Sequence, residues 1–147
     1  MNKLKKLSEE MEKKFNDLVD LIKNKFMNKI IIILFGSRAK NYSHLMSDYD
    51  ILIIYDNENS EIKKIIPELD FNKLRKLAYS NSTDLFIYDI NMISELLEQK
   101  NTIILDAFYE GKLIFDGLNL YSKLKDQVSN FLIKNNLYKT DFGWKIN

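Results

Sequence analysis

The chain has 147 residues, 46% of them apolar and 12% aromatic, which suits one domain with a real core rather than a disordered segment. Its 22 basic and 21 acidic residues leave a net charge of +1, too weak a field to gather long nucleic acid, and this speaks against a template-using polymerase. There is no cysteine, no apolar stretch near the ~18 residues of a membrane span and no signal-peptide core. Disulfides, cysteine zinc sites and a membrane location are thereby excluded, and a cytoplasmic protein is expected.

Residues 1–28 read as a helix, with Leu4, Leu7, Met11, Phe15, Leu18 and Ile22 on one stripe at spacings of three and four. The lysines and glutamates between them read as a solvated face. Ile30 to Phe35 is uninterrupted, apolar and β-branched, which fits a central strand covered on both faces. It stops at Gly36-Ser37. Residues 37–46 are expected to form a short helix and loop. Asp48 follows Ser37 by eleven residues, then comes Asp50, then a second apolar run from Ile51 to Ile54.

Asp56 to Ser60 is a polar turn, and residues 61–80 look helical with a break at Pro67. Thr83 to Tyr88 reads as a third strand, with Asp84, Phe86 and Tyr88 on one face and Leu85 and Ile87 on the other. Residues 92–110 are apolar at helical spacing. Lys112 to Phe115 is a short strand closed by Asp116-Gly117, and 118–135 is helical again. The polar tail from Asn136 holds Tyr138, Phe142 and Trp144; its sequence leaves open whether it folds back or meets a partner. His44, the only histidine, reads as a polar surface residue.

The chemistry gathers in Leu34 to Ile51, LFGSRAKNYSHLMSDYDI. A tight turn after a strand presents backbone N–H groups and the Ser37 hydroxyl. Asp48 and Asp50 project from one face of the next strand, because side chains alternate. A phosphate-holding turn beside a carboxylate pair suits a nucleoside triphosphate with Mg²⁺. Arg38 and Lys40 stand close enough to neutralise phosphate or to face solvent, and both readings stay open. A third carboxylate is wanted for a second metal ion and for the attacking hydroxyl. Asp84, at the start of its strand, and Asp89, after the apolar run where it reads as a strand end, are the candidates.

This stretch resembles the DNA polymerase β-like nucleotidyltransferases, and within them the small stand-alone group called minimal nucleotidyltransferases (MNT). Where members commonly carry Gly, this chain has Asn41, which tolerates positive φ better than most residues. The resemblance implies an α+β two-layer nucleotidyltransferase fold, a mixed sheet with helices on one face and the active site on the other. It implies catalysis and metal binding by Asp48, Asp50 and Asp84, with two Mg²⁺ ions. Gly36, Ser37 and Arg38 would bind the nucleotide, ATP or another triphosphate. The expected layout is one domain over 1–147: an N-terminal helix (1–28), a catalytic core (29–90) and a C-terminal helical extension (91–147). The expected activity is transfer of AMP from ATP to a hydroxyl, on a partner protein such as a HEPN-type toxin. The alternatives are a nucleotide- or protein-binding antitoxin with little catalysis, or a small-molecule nucleotidyltransferase. Homo-oligomerisation is left open.

Overall fold

A computed structural model describes residues 2–40 and 47–147. The expectations for Asn41, His44 and the loop through residue 46 lie outside the described residues. The elements are α1 (Lys3–Lys25), β1 (Ile30–Phe35), β2 (Tyr49–Tyr55), α2 (Ser60–Ile65), α3 (Phe71–Ser80) and β3 (Thr83–Asp89). They continue with α4 (Ile93–Glu98), α5 (Thr102–Glu110), β4 (Lys112–Asp116), α6 (Tyr121–Lys134), β5 (Leu137–Thr140) and β6 (Gly143–Ile146). No described helix is long and apolar enough to cross a membrane.

Four strands form one mixed sheet in the order β3-β2-β1-β4. β1 runs antiparallel to β2 and β4, and β2 runs parallel to β3. The α+β class with a mixed sheet is as expected. The covering differs. Ile30, Ile32, Leu34, Ile51 and Ile53 pack with α1, α2 and α3. Ile31, Ile33, Phe35, Leu52 and Ile54 pack with α4, α5 and α6. Helices therefore cover both faces, which corrects the one-sided arrangement implied by the resemblance. The reason is in the strands: β1 and the apolar part of β2 have no alternating polar residue, so each face must be buried.

In α1 the stripe is buried only from the middle onward. Phe15, Leu18, Val19 and Ile22 are buried, whereas Leu4 is 53% exposed. A helix of this length spans roughly 35 Å against ~20 Å for a six-residue strand, so its first turns overhang the sheet. The helical reading of 92–110 divides in two at Lys100, which takes φ 53°. Asn101 N–H bonds to Leu96 C=O and Lys100 N–H to Leu97 C=O, a Schellman ending. Asn101 then caps α5 by accepting from Ile104 N–H at 3.1 Å. A lysine in the left-handed position, where glycine is usual, hid this break from the apolar pattern.

The stretch 91–147 is more than helical, since it supplies β4 to the sheet and the hairpin β5-β6. That hairpin folds back. Leu137 is buried, and Trp144 packs against the α4–α6 core. Asp106 of α5 holds it: Oδ1 accepts from Trp144 Nε1 at 2.8 Å and from Lys139 Nζ at 2.6 Å. Tyr109 meets the Trp144 ring edge-on at 5.2 Å.

Asp106→Ala should leave two donors without their partner and lower stability by about 1–2 kcal/mol. Hydrogen exchange should quicken across residues 137–146 while β1 and β2 stay protected. Unchanged exchange in the hairpin would show that the apolar contacts alone hold it.

Candidate active site

β1 ends at Phe35, and the chain reverses through Gly36 into one tight helical turn, Ser37–Ala39. Ala39 N–H bonds back to Gly36 C=O at 3.2 Å and Lys40 N–H to Ser37 C=O at 3.1 Å. Ala39 is buried and pins the turn into the α1–α3 core, while Lys40 pairs with Glu110 at the end of α5 at 3.0 Å. Two observations require glycine at position 36. Its φ is +73°, and a Cβ there would collide with Oδ2 of Asp50. The backbone of the turn thus lies directly against the Asp50 carboxylate.

The sheet register explains this. Asp50 is the antiparallel partner of Phe35, which brings it beside the turn. On its other side it is the parallel partner of Asp84, one strand spacing of roughly 4.8 Å away. Asp48 lies two residues earlier, just before β2 begins rather than on the strand, and is exposed. Asp50 and Asp84 are half-buried. Burial pushes the Asp50 carboxyl up to about 6, and the charges of Asp84 and Asp48 and a hydrogen bond with the Asp84 side chain push the same way. Asp50, Asp84 and Asp48 are thus brought together, with Gly36 and Ser37 beside them.

Asp89 is placed elsewhere. It pairs with Tyr55 at the far end of β3, roughly 16 Å along the strand from Asp84. There Oδ1 accepts from Asn57 N–H, Asn91 N–H and Asn91 Nδ2, so it ties two loops together. Arg38 lies in the same turn as Gly36 and Ser37 and reaches toward Ser47 and Tyr49. Its Nε donates to Ser47 C=O at 2.7 Å, and its guanidinium lies 4.6 Å from the ring centroid of Tyr49. Tyr49 stacks on Phe15 of α1, on the sheet face opposite Asp50. Arg38 therefore braces the approach to Asp48. No sequence signal distinguished that role, nor the Lys40–Glu110 pair.

Among the described residues no group of three or more His, Asp or Glu side chains stands ready-made around a metal ion. The donor chemistry nonetheless fits a hard divalent cation. Crowded carboxylate oxygens, one of which holds its proton more tightly than an ordinary carboxyl, are relieved when a cation lies between them. Asp48, Asp50 and Asp84 would hold it. Grooves also open away from this cluster, one of about 700 Å³ lined by Tyr109, Leu132, Ile133 and Tyr138.

The sequence pattern of the family described as "Polymerase beta, Nucleotidyltransferase" matches residues 16–119. The chain belongs to the polymerase beta nucleotidyltransferase family. That span takes in the Gly36 turn and all three aspartates, and the enzyme class is that of a nucleotidyltransferase. No curated protein sequence matches the chain. Among solved structures, the toxin–antitoxin MntA-HpeT, in a mutant form, is similar at 17% identity over 81% of this chain and 86% of that one. Its TM-score of 0.51 supports the fold. A tri-AMPylated Shewanella oneidensis HEPN toxin in complex with MNT antitoxin matches at 17% identity, over 85% and 92% of the two chains, with TM-score 0.48. A toxin–antitoxin with AMP-PNP matches at 18% identity, over 81% and 90%, with TM-score 0.45.

Gly36→Ala in this nucleotidyltransferase should displace the Asp50 carboxylate and strain the turn, lowering stability by about 1–2 kcal/mol. Mg²⁺-dependent ATP binding should weaken by at least tenfold, measured by calorimetry. Wild-type affinity in this variant would show that the turn does not line the nucleotide site.

Proposed function

We propose that the chain is a Mg²⁺-dependent transferase that moves AMP from ATP to a hydroxyl on a partner protein, acting as the MNT-type antitoxin of a HEPN-type toxin. The observation that carries the reading is Asp50, flanked by the Gly36 backbone on one side and by Asp84 on the other. Resemblance of residues 34–54 to the MNT group supports ATP as donor and a toxin as acceptor. Exposed apolar side chains on α6 and the hairpin, among them Ile133, Tyr138, Phe142 and Ile146, support a protein partner.

In this reading the N–H groups at Gly36 and Ser37, with the Ser37 hydroxyl, hold the β- and γ-phosphates. Asp48 and Asp50 would hold the metal, and Asp84 would help hold a second ion and take the proton of the acceptor hydroxyl. Bound Mg²⁺ supplies neutralisation of the triphosphate and of the charge that develops on it. The acceptor oxygen forms a bond to the α-phosphorus, the bond from that phosphorus to the bridging oxygen breaks, and pyrophosphate leaves. Gly36 keeps the turn close to Asp50, and Arg38 holds the chain entering Asp48.

Incubation with α-labelled ATP, Mg²⁺ and the product of the neighbouring gene should label that protein. Asp48→Ala with Asp50→Ala should abolish labelling. Asp84→Asn should keep ATP binding while transfer falls roughly 10²–10⁴-fold, the usual contribution of a general base. Full transfer by Asp84→Asn together with an inactive Asp89→Asn would contradict the assignment. A partner neutralised without modification by the double variant would favour the binding-module reading, to which the exposed apolar surface also points.

A further inference from the structure

The four-stranded sheet ends at β3, and no described strand pairs with its outer edge. The ladder determines which backbone groups that edge presents. Tyr49 is the partner of Thr83, and its N–H donates to Ser82 C=O at 2.9 Å. In a parallel ladder its carbonyl then accepts from the N–H of Asp84, and the alternation continues along the strand. Asp84, Phe86 and Tyr88 therefore direct their N–H and C=O groups to β2. Those of Thr83, Leu85 and Ile87 point outward.

Along this edge runs a groove of about 360 Å³, lined by Arg75, Lys76 and Tyr79 of α3 and by β3 from Thr83 to Phe86. Asp84 is part of its lining, so the groove is continuous with the carboxylate cluster. Tyr79 is 75% exposed. Arg75 bonds weakly to Asn72 at 3.3 Å, and neither Arg75 nor Lys76 makes an ion pair among the described residues. α3 lies on the sheet face of Leu85 and Ile87, opposite to the face that carries Asp50 and Asp84.

We propose that the acceptor protein docks in this groove as an extended segment that adds a strand to the outer edge of β3 and carries acidic residues beside the acceptor hydroxyl. The inference rests on the protein-acceptor reading above. An added strand alternates its side chains. A residue level with Asp84, on the face of the carboxylates, delivers its hydroxyl to them. Its neighbours at odd offsets point to the other face and meet Arg75, Lys76 and Tyr79. Two cations without acidic partners select carboxylates there, and the exposed ring adds apolar contact. Cationic side chains also serve to guard a bare edge against unwanted pairing, and a guard alone would give no preference among acceptors.

The test uses the full chain, α-labelled ATP and Mg²⁺ with short peptides, each carrying one Tyr, Ser or Thr flanked by glutamates or by lysines. Glutamate-flanked peptides should be labelled roughly tenfold faster. Arg75→Glu with Lys76→Glu, both at exposed positions, should reverse the preference while Mg²⁺-dependent ATP binding is unchanged. Tyr79→Ala should slow labelling of the glutamate peptides. Equal labelling, a preference that survives charge reversal, or label on neither peptide with ATP binding intact would overturn the docking proposal and leave the nucleotidyltransferase reading standing. Absence of Mg²⁺-dependent ATP binding in the wild type would defeat that reading as well.

Discussion

Parallel pairing of β2 with β3 forces Asp50 and Asp84 side by side, and the rest of the site depends on that contact. Two carboxylates at one height on adjacent strands repel unless a proton or a cation lies between them. The sheet tolerates this because its register is held elsewhere. Ile51 and Ile53 are buried under α1–α3, and Leu52 and Ile54 under α4–α6. Slipping β2 by one residue would turn Asp50 toward Phe15 and drive a charge into the α1 core. Antiparallel pairing with β1 then brings the Gly36 turn against the same carboxylate, so one residue meets the backbone of that turn and Asp84 at once.

Much of this was legible because the signals were short-range. Ile30–Phe35 is a strand end to end, and the alternation of Asp84, Phe86 and Tyr88 with Leu85 and Ile87 matches the two cores. The choice of Asp84 over Asp89 rested on position along a strand and on the order seen in the family, and the register sets Asp84 level with Asp50 and Asp89 level with Tyr55. Illegible parts were those decided by residues far apart. Covering of both faces needed the packing of α4–α6, which the apolar content of β1 hinted at but the family likeness contradicted. The break at Lys100 has no glycine to announce it. The hairpin depends on Asp106 meeting Lys139 and Trp144, more than thirty residues away. Arg38, which the sequence leaves between phosphate and solvent, bonds to Ser47 and lies over Tyr49, a geometry that no local pattern encodes.

The surfaces divide by chemistry. The carboxylate end of the sheet carries negative charge, the β3 edge beside it carries Arg75 and Lys76, and the hairpin side exposes Tyr138 and Phe142. A near-neutral chain can thus present local fields of both signs although its net charge is +1. Nucleotide, acceptor and partner body would each meet a different one of these surfaces.

Asp50 and Asp84 form a crowded carboxylate pair, and a divalent cation with nucleotide is expected to relieve it. The most direct measurement is the titration of the Asp50 side-chain carboxyl by NMR, in the free protein and with Mg²⁺ plus a non-hydrolysable ATP analogue. A midpoint of about 6 is expected in the free protein, falling into or below the ordinary carboxylate range, roughly 4, when the cation and nucleotide bind. An ordinary midpoint in the free protein, or one that Mg²⁺ and nucleotide leave unmoved, would contradict it.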